Sequence, residues 1–368
     1  MLLYCIIIGL MFFTLTFSIA YQPDEIVFSN GLVARKKRDS DLEKLIFGTI
    51  LLGLWTLTAF RGESIGNDTV TYKNYYEQIR IGGINSEFAI ELGFQYFCLF
   101  LSKISTNPQT LLIASSTICY GFCGAYIIRF SNNILYSSVL LFCVAFSFFM
   151  SGIRQAIAMS ILLSAYGKIK QGKIIAPIFI ILIASAFHKA SLVTLLWLFY
   201  KYIPKKPIAV LPIAAVIALL SLSGSFNNFL SIILKEYSGY FDSQYVGSGF
   251  LGISYYSLRN LVFYLLIYYA NTGWKKKNQL AVANAALLLF VVCFGFSVNL
   301  FERASLYFLL ATVADIPNAF YSEKIENRDL WMLILGYGMI VFFVLVIIMR
   351  PEWNHIYPYE FCHYKTVE

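Results

Sequence analysis

The chain of 368 residues is 59% hydrophobic and only 13% charged, with a mean hydropathy of +0.69. These values exclude a soluble globular domain and describe a protein that crosses a bilayer many times. The net charge of +8 does not point to nucleic acid, because most of it lies in short loops between apolar runs.

In chain order the apolar runs fall at 2–21, 45–60, 109–128, 134–150, 153–167, 174–188, 190–203, 208–224, 256–271, 280–297, 304–321 and 330–349. They predict an all-α polytopic helical bundle of about twelve spans, several of them short. No connection is long or polar enough to be a separate soluble domain, so 1–368 reads as one membrane domain. The first run lacks the basic region of a signal peptide and is expected to be retained as a span. If the runs alternate, the basic clusters, beginning with Arg35-Lys36-Lys37-Arg38, collect on one side. That side is cytoplasmic by the positive-inside rule, which puts both termini outside. The long segments at about 61–108, 225–255 and 350–368 then face outward, where the specific chemistry is expected.

The first outer segment opens at Arg61 and carries Tyr72, Tyr75, Tyr76 and Ile79 at helical spacing. It predicts an amphipathic helix at the interface. Its tyrosines form either an aromatic belt or, with Asp68, a lid offering stacking surfaces to sugar rings. Glu91 begins the next helix, where a carboxylate suits the positive dipole end.

The stretch 134–167 is interrupted only at Ser151-Gly152-Ile153-Arg154. It offers roughly 51 Å of helical rise against about 60 Å for two crossings of a ~30 Å hydrocarbon core. The stretch 174–203, turning at His188-Lys189, offers roughly 45 Å. Both are expected to form re-entrant-like hairpins whose turns sit below the membrane surface, and ionisable groups at such depth usually face a water-filled cavity or one another.

Arg154 falls at a helix N-terminus, where the dipole disfavours a cation, so its placement needs an anion. With the free N–H groups of that turn it would form a phosphate or pyrophosphate site. Otherwise it snorkels to lipid headgroups or pairs with Glu302 or Glu91. His188 either shuttles a proton or bonds a backbone carbonyl at its turn.

The segment 225–255 mixes glycine with tyrosine and phenylalanine, which suits either a mobile loop touching an amphipathic ligand or a loop resting on the surface. Arg259 follows it. Arg303 opens a further helix, alone as a cation or clustered with Glu302. Asp315, two residues before Pro317, is expected to satisfy a broken helix.

Other templates fit less well. The seven cysteines form no disulfide framework, and the Cys119/Cys123 spacing lacks a further ligand, so no metal is expected. The Asp39-Ser40-Asp41 triplet adjoins the basic run without a βαβ pattern. No G-x-S-G supports a serine protease, and His355 and His363 stand without a nucleophile motif.

Several separated pieces share an order and topology. They are Gly66-Asn67-Asp68 with Tyr72 and Tyr76, Glu91-Leu92-Gly93-Phe94, Ile153-Arg154-Gln155-Ala156-Ile157-Ala158, Ala186-Phe187-His188-Lys189-Ala190-Ser191, Glu302-Arg303 before Tyr307, and Tyr357-Pro358-Tyr359 with Phe361. On these the chain resembles the EpsG family, the Wzy-like polymerases of bacterial exopolysaccharide, capsule and O-antigen, over nearly its whole length.

The resemblance implies a glycosyltransferase, GT-C-like in the broad sense, at the outer face of the cytoplasmic membrane. It would act on oligosaccharide units linked to undecaprenyl pyrophosphate, transferring a growing chain from its carrier to the non-reducing end of a new unit. A chain-length regulator, a flippase and membrane lipid are the implied partners. No cofactor is expected, because arginines at helix N-termini can stabilise the leaving diphosphate in a metal-independent, inverting displacement. His188, Arg154, Asp68 and Glu91 are the candidate catalytic residues. Arg61, Arg303, Arg259, Lys189, Tyr72, Tyr76 and Gln155 are candidates for substrate binding. Two other classes stay open. A lipid-linked oligosaccharide flippase would place its charges along a mid-membrane path, and a membrane acyltransferase would turn a catalytic histidine toward the cytoplasm.

Overall fold

The apolar runs become helices where polar side chains or glycine punctuate them. Asn133 accepts a hydrogen bond from the Tyr136 N–H at one helix start and Asn278 from that of Ala281 at another. A third opens with Pro207 in its first turn, where the missing N–H costs nothing. The computed structural model describes residues 2–20, 41–85, 88, 90–224, 250–272, 278–296, 300–322, 325–353 and 355–362. Most of the 225–255 segment, the basic run at 35–38 and His363 lie outside the described residues.

The helices are α1 (Leu2–Ala20), α2 (Asp41–Ala59), α3 (Thr69–Gly82), α4 (Leu92–Ser102), α5 (Gln109–Phe130), α6 (Ile134–Ser151), α7 (Ile153–Lys170), α8 (Ile175–Phe187), α9 (Pro207–Leu222), α10 (Phe250–Asn271), α11 (Gln279–Phe294), α12 (Leu300–Leu309), α13 (Thr312–Phe320) and α14 (Arg328–Met349). A 3₁₀ helix, Lys189–Phe199, follows α8. No strand occurs among the described residues. The protein is a helical membrane protein. Among the described residues α1, α2, α5, α6 and α14 are long and apolar enough to cross a bilayer, and α4, α8, α9, α11 and the 3₁₀ helix are shorter apolar helices.

Two apolar runs differ from their expected form. The run 190–203 is a 3₁₀ helix of 11 residues rather than an α-helical span. The run 304–321 is broken at Leu310–Ala311 between α12 and α13.

The chain divides into two compact units. The first comprises Met1–Ile161, Ala186–His188 and Glu326–Glu368, and the second Leu162–Ser185 and Lys189–Ile325. In the first, α1 packs against α6 and α14, α2 against α5 and α6, and α3 against α4 and α5. Its C-terminal segment is a strap laid on the turn that follows α2. Gly62 N–H donates to Glu360 O at 2.7 Å, Cys362 N–H to Phe60 O at 2.8 Å, and Gly66 N–H to His355 O at 2.9 Å. The Tyr4 and Tyr359 hydroxyls fasten it further, to Ile356 O and Leu57 O.

In the second unit α11 is enclosed by α9, α10 and α12, and nearly all its side chains are buried. Apolar packing cannot hold the break between α12 and α13, because it frees backbone carbonyls. Asn284 supplies the missing donor, bonding Phe308 O at 3.0 Å while accepting from Trp197 Nε1 at 2.9 Å. Nearby, Asp315 accepts from Tyr166 Oη and Lys170 Nζ, each at 2.6 Å.

Asp315 is fully enclosed and the Lys170 side chain is 12% exposed. Removing one partner leaves a buried charge, which costs on the order of 3 kcal/mol. Asp315→Ala should therefore lower the thermal midpoint of the detergent-purified protein markedly. Lys170→Met/Asp315→Leu should lower it less than the single change does.

Candidate active site

The break between α6 and α7 is one residue, Gly152, so Arg154 falls in the first turn of α7. That turn has backbone N–H groups without intrahelical partners and a positive dipole end, and a guanidinium placed there demands a counter-charge. Glu91 provides it. Its Oε2 lies 2.5 Å from Arg154 Nη1, with the two side chains 9% and 22% exposed. Arg154 Nε donates to the Tyr72 hydroxyl at 3.4 Å. Arg154 Nη2 has no protein partner among the described residues. Of the two carboxylates the sequence offered for Arg154, the structure uses Glu91.

Glu91 is itself the N-cap of α4, yet its side chain makes no capping hydrogen bond. The carboxylate is committed to Arg154 instead. It sits where the N-terminus of α4 and the guanidinium on the first turn of α7 meet.

Four sequence motifs converge here. Tyr72 packs edge-on against Phe94, with ring centroids 5.6 Å apart. Gly93 lies so close to the end of α8 that an added Cβ would sit 2.5 Å from Ala186 O, and Phe97 packs on Phe187. His188 follows directly, partly exposed, at the junction between α8 and the 3₁₀ helix. Asp68 precedes α3, makes no capping hydrogen bond and is partly exposed. Its charge acts on Tyr72, whose pKa is raised chiefly by burial, with Arg154 opposing.

The turn that presents Asp68 is tightly built. Gly66 has φ of 83°, and a Cβ there would stand 2.1 Å from Met150 O. Asn67 N–H donates to Ser151 Oγ, and its side-chain amide reaches the strap at Glu352 O and Trp353 O. The sequence reading missed Thr69, Ser151 and this role of Asn67. Their signal was the invasion of one motif by another, which spacing along the chain does not reveal.

Several expected substrate contacts are interior. Arg61 is fully buried: Nη1 donates to Thr58 O at the end of α2 and Nε to Thr69 Oγ1 at 3.2 Å. Burial lowers its pKa to about 10, with Tyr359 and Tyr120 opposing the shift, so it stays charged near neutral pH. The carbonyl end of α2 offsets part of that charge, and Arg61 is a helix cap here rather than a surface contact. Tyr76 is likewise fully buried, its hydroxyl spent on Ser105 O at 2.6 Å. Tyr72 and Gln155 are 6% and 5% exposed. Tyr72 and Tyr76 of α3 thus face the core, because that face packs on α4 and α5.

Three further candidates belong to the second unit. Arg259 is mid-helix on α10, nearly buried, with its guanidinium 5.0 Å from the Tyr256 ring and Nε donating to Asn260 Oδ1. Arg303, on α12, and Lys189, opening the 3₁₀ helix, are exposed. Glu302 interacts electrostatically with both Arg303 and Arg259, which is the cluster the sequence offered for Arg303.

Residues 44–361 match the family model described as the EpsG family. Comparisons with curated proteins and with solved structures return no match.

The backbone approach at Gly66 gives a sharp contrast. Gly66→Ala must displace the end of α6 and hold a strained φ, so folded protein recovered after size exclusion should fall severely. Gly121→Ala on α5, where nothing lies within 4 Å of the added carbon, should leave recovery and the thermal midpoint unchanged or slightly higher.

Proposed function

Because the chain belongs to the EpsG family of Wzy-like polysaccharide polymerases, we propose that it lengthens a surface polysaccharide by joining lipid-linked oligosaccharide units at the outer face of the cytoplasmic membrane. The observation that carries this reading is the Arg154 site. A guanidinium on a helix N-terminal turn, with one free nitrogen and an uncommitted carboxylate nearby, suits the departure of a glycosyl group from a diphosphate.

In this reaction a hydroxyl oxygen of the acceptor unit attacks the anomeric carbon of the growing chain. The bond between that carbon and the diphosphate oxygen breaks, and the undecaprenyl pyrophosphate carries away the electron pair. Arg154 and the positive end of α7 receive the developing negative charge. Asp68 takes the acceptor proton. It is better placed than Glu91, whose carboxylate is held in the ion pair with Arg154. The displacement needs no metal and inverts the anomeric centre in this scheme. The spans number about twelve in a single GT-C-like membrane domain, and a flippase and a chain-length regulator act beside it.

Cells carrying Arg154→Ala should accumulate single-repeat glycan in place of the long-chain ladder on gels, read per amount of folded protein because Glu91 loses its partner. Asp68→Asn should slow elongation by about 10²-fold or more in a reconstituted assay while leaving diphosphate binding in place. Long chains of normal abundance from the Arg154 variant would remove the proposal, and loss of all surface glycan would point to export instead.

A further inference from the structure

Arg154 is not waiting empty for its ligand. The position a phosphate would take beside it already holds an anion, the Glu91 carboxylate, 2.5 Å from Nη1. Two features of the surroundings make this an anion position whoever occupies it. Arg154 lies in the first turn of α7, an 18-residue helix, and Glu91 is the N-cap of α4, an 11-residue helix, so a negative charge between them meets two positive dipole ends and a guanidinium.

The carboxylate also has somewhere else to go. An N-cap side chain ordinarily accepts from the N–H groups two or three residues on, here those of Gly93 and Phe94, and Glu91 forgoes that bond. Phe94 N–H reaches only the Glu91 main-chain oxygen, at 3.1 Å. Release from Arg154 would let the side chain turn toward its own helix, which offsets part of the lost ion pair. The guanidinium is meanwhile open for first contact at Nη2.

Resting on the function proposed above, we infer that Glu91 is an internal stand-in for the substrate's diphosphate. It neutralises Arg154 in the free enzyme and yields Nη1 when a phosphate binds, falling back to cap α4. Its role is thus to set the threshold for anion entry and to keep the guanidinium correctly aimed between turnovers. It does not take the acceptor proton.

The test measures inorganic pyrophosphate binding to the full-length protein in detergent, by calorimetry, for the wild type, Glu91→Gln, Asp68→Asn and Arg154→Ala. Removing the competing carboxylate should tighten pyrophosphate by about tenfold in Glu91→Gln. Asp68→Asn removes a neighbouring charge that does not occupy Arg154, and should change affinity by about twofold at most. Arg154→Ala should abolish binding.

Equal or weaker binding by Glu91→Gln, with Arg154→Ala still abolishing it, overturns the stand-in role and leaves the phosphate site intact. Equal tightening by Asp68→Asn and Glu91→Gln also overturns it, since a general field then suffices. Unchanged binding by Arg154→Ala would instead remove the site on which the proposed reaction depends.

Discussion

A cation placed at the positive end of a helix is the constraint from which the first unit is built. Arg154 cannot stand in the opening turn of α7 without a counter-charge, and the nearest solution is a carboxylate at the start of another helix. That requirement brings Glu91 to it, and with Glu91 the whole of α4. Once α4 is there, Phe94 meets Tyr72 on α3 and Gly93 meets the end of α8. The contacts among these helices accompany the neutralising of one largely enclosed guanidinium.

The turn between α2 and α3 is held by a different means. Its backbone donors and acceptors are satisfied by the C-terminal strap, which arrives from nearly 300 residues away in sequence. Arg61 closes the end of α2 beneath it, a full charge kept in the interior by helix carbonyls and polar side chains rather than by an acid. Replacing that guanidinium with an apolar chain would spare the desolvation but would take from the Thr58 carbonyl and the Thr69 hydroxyl the donor Arg61 gives each. The strap and Arg61 together fix Gly66 against Met150, and so fix the turn that carries Asp68 into α3.

Arg154 was legible in the sequence as a cation opening an apolar run, where a helix N-terminus demands a counter-charge, and the structure places it in the first turn of α7 beside Glu91. Glu91 was legible as one of two acids able to reach it. The helix class and the first turn of α7 followed from apolar runs and their punctuation. The burial of Tyr72 and Tyr76 on α3 was not legible, because periodicity identifies a face without saying what covers it. Here the cover is α4 and α5, elements distant in sequence. The 3₁₀ helix after His188 and the break in the run 304–321 were hidden for another reason. Both keep the apolar composition of a span, while their backbone course is set by partners such as Trp197 and Asn284 that no local rule names.

The Asp315 and Asn284 networks and the Arg154 site handle polar groups in contrasting ways. In the former, Lys170, Asp315 and Tyr166 are mutually saturated, and Asn284 spends its acceptor on Trp197 and a donor on Phe308. A saturated network within an apolar interior is rigid, because exchanging any partner exposes an unpaired group. At Arg154 the saturation is incomplete: one guanidinium nitrogen has no protein partner, the carboxylate of Glu91 forgoes its cap, and Asp68 makes none. The anion exchange proposed for Arg154 needs such slack, and a site can keep it only where the backbone around it is pinned. The glycine contact at Met150, the strap and the buried Arg61 supply that pinning, so the rigid interior and the uncommitted charges belong to one design.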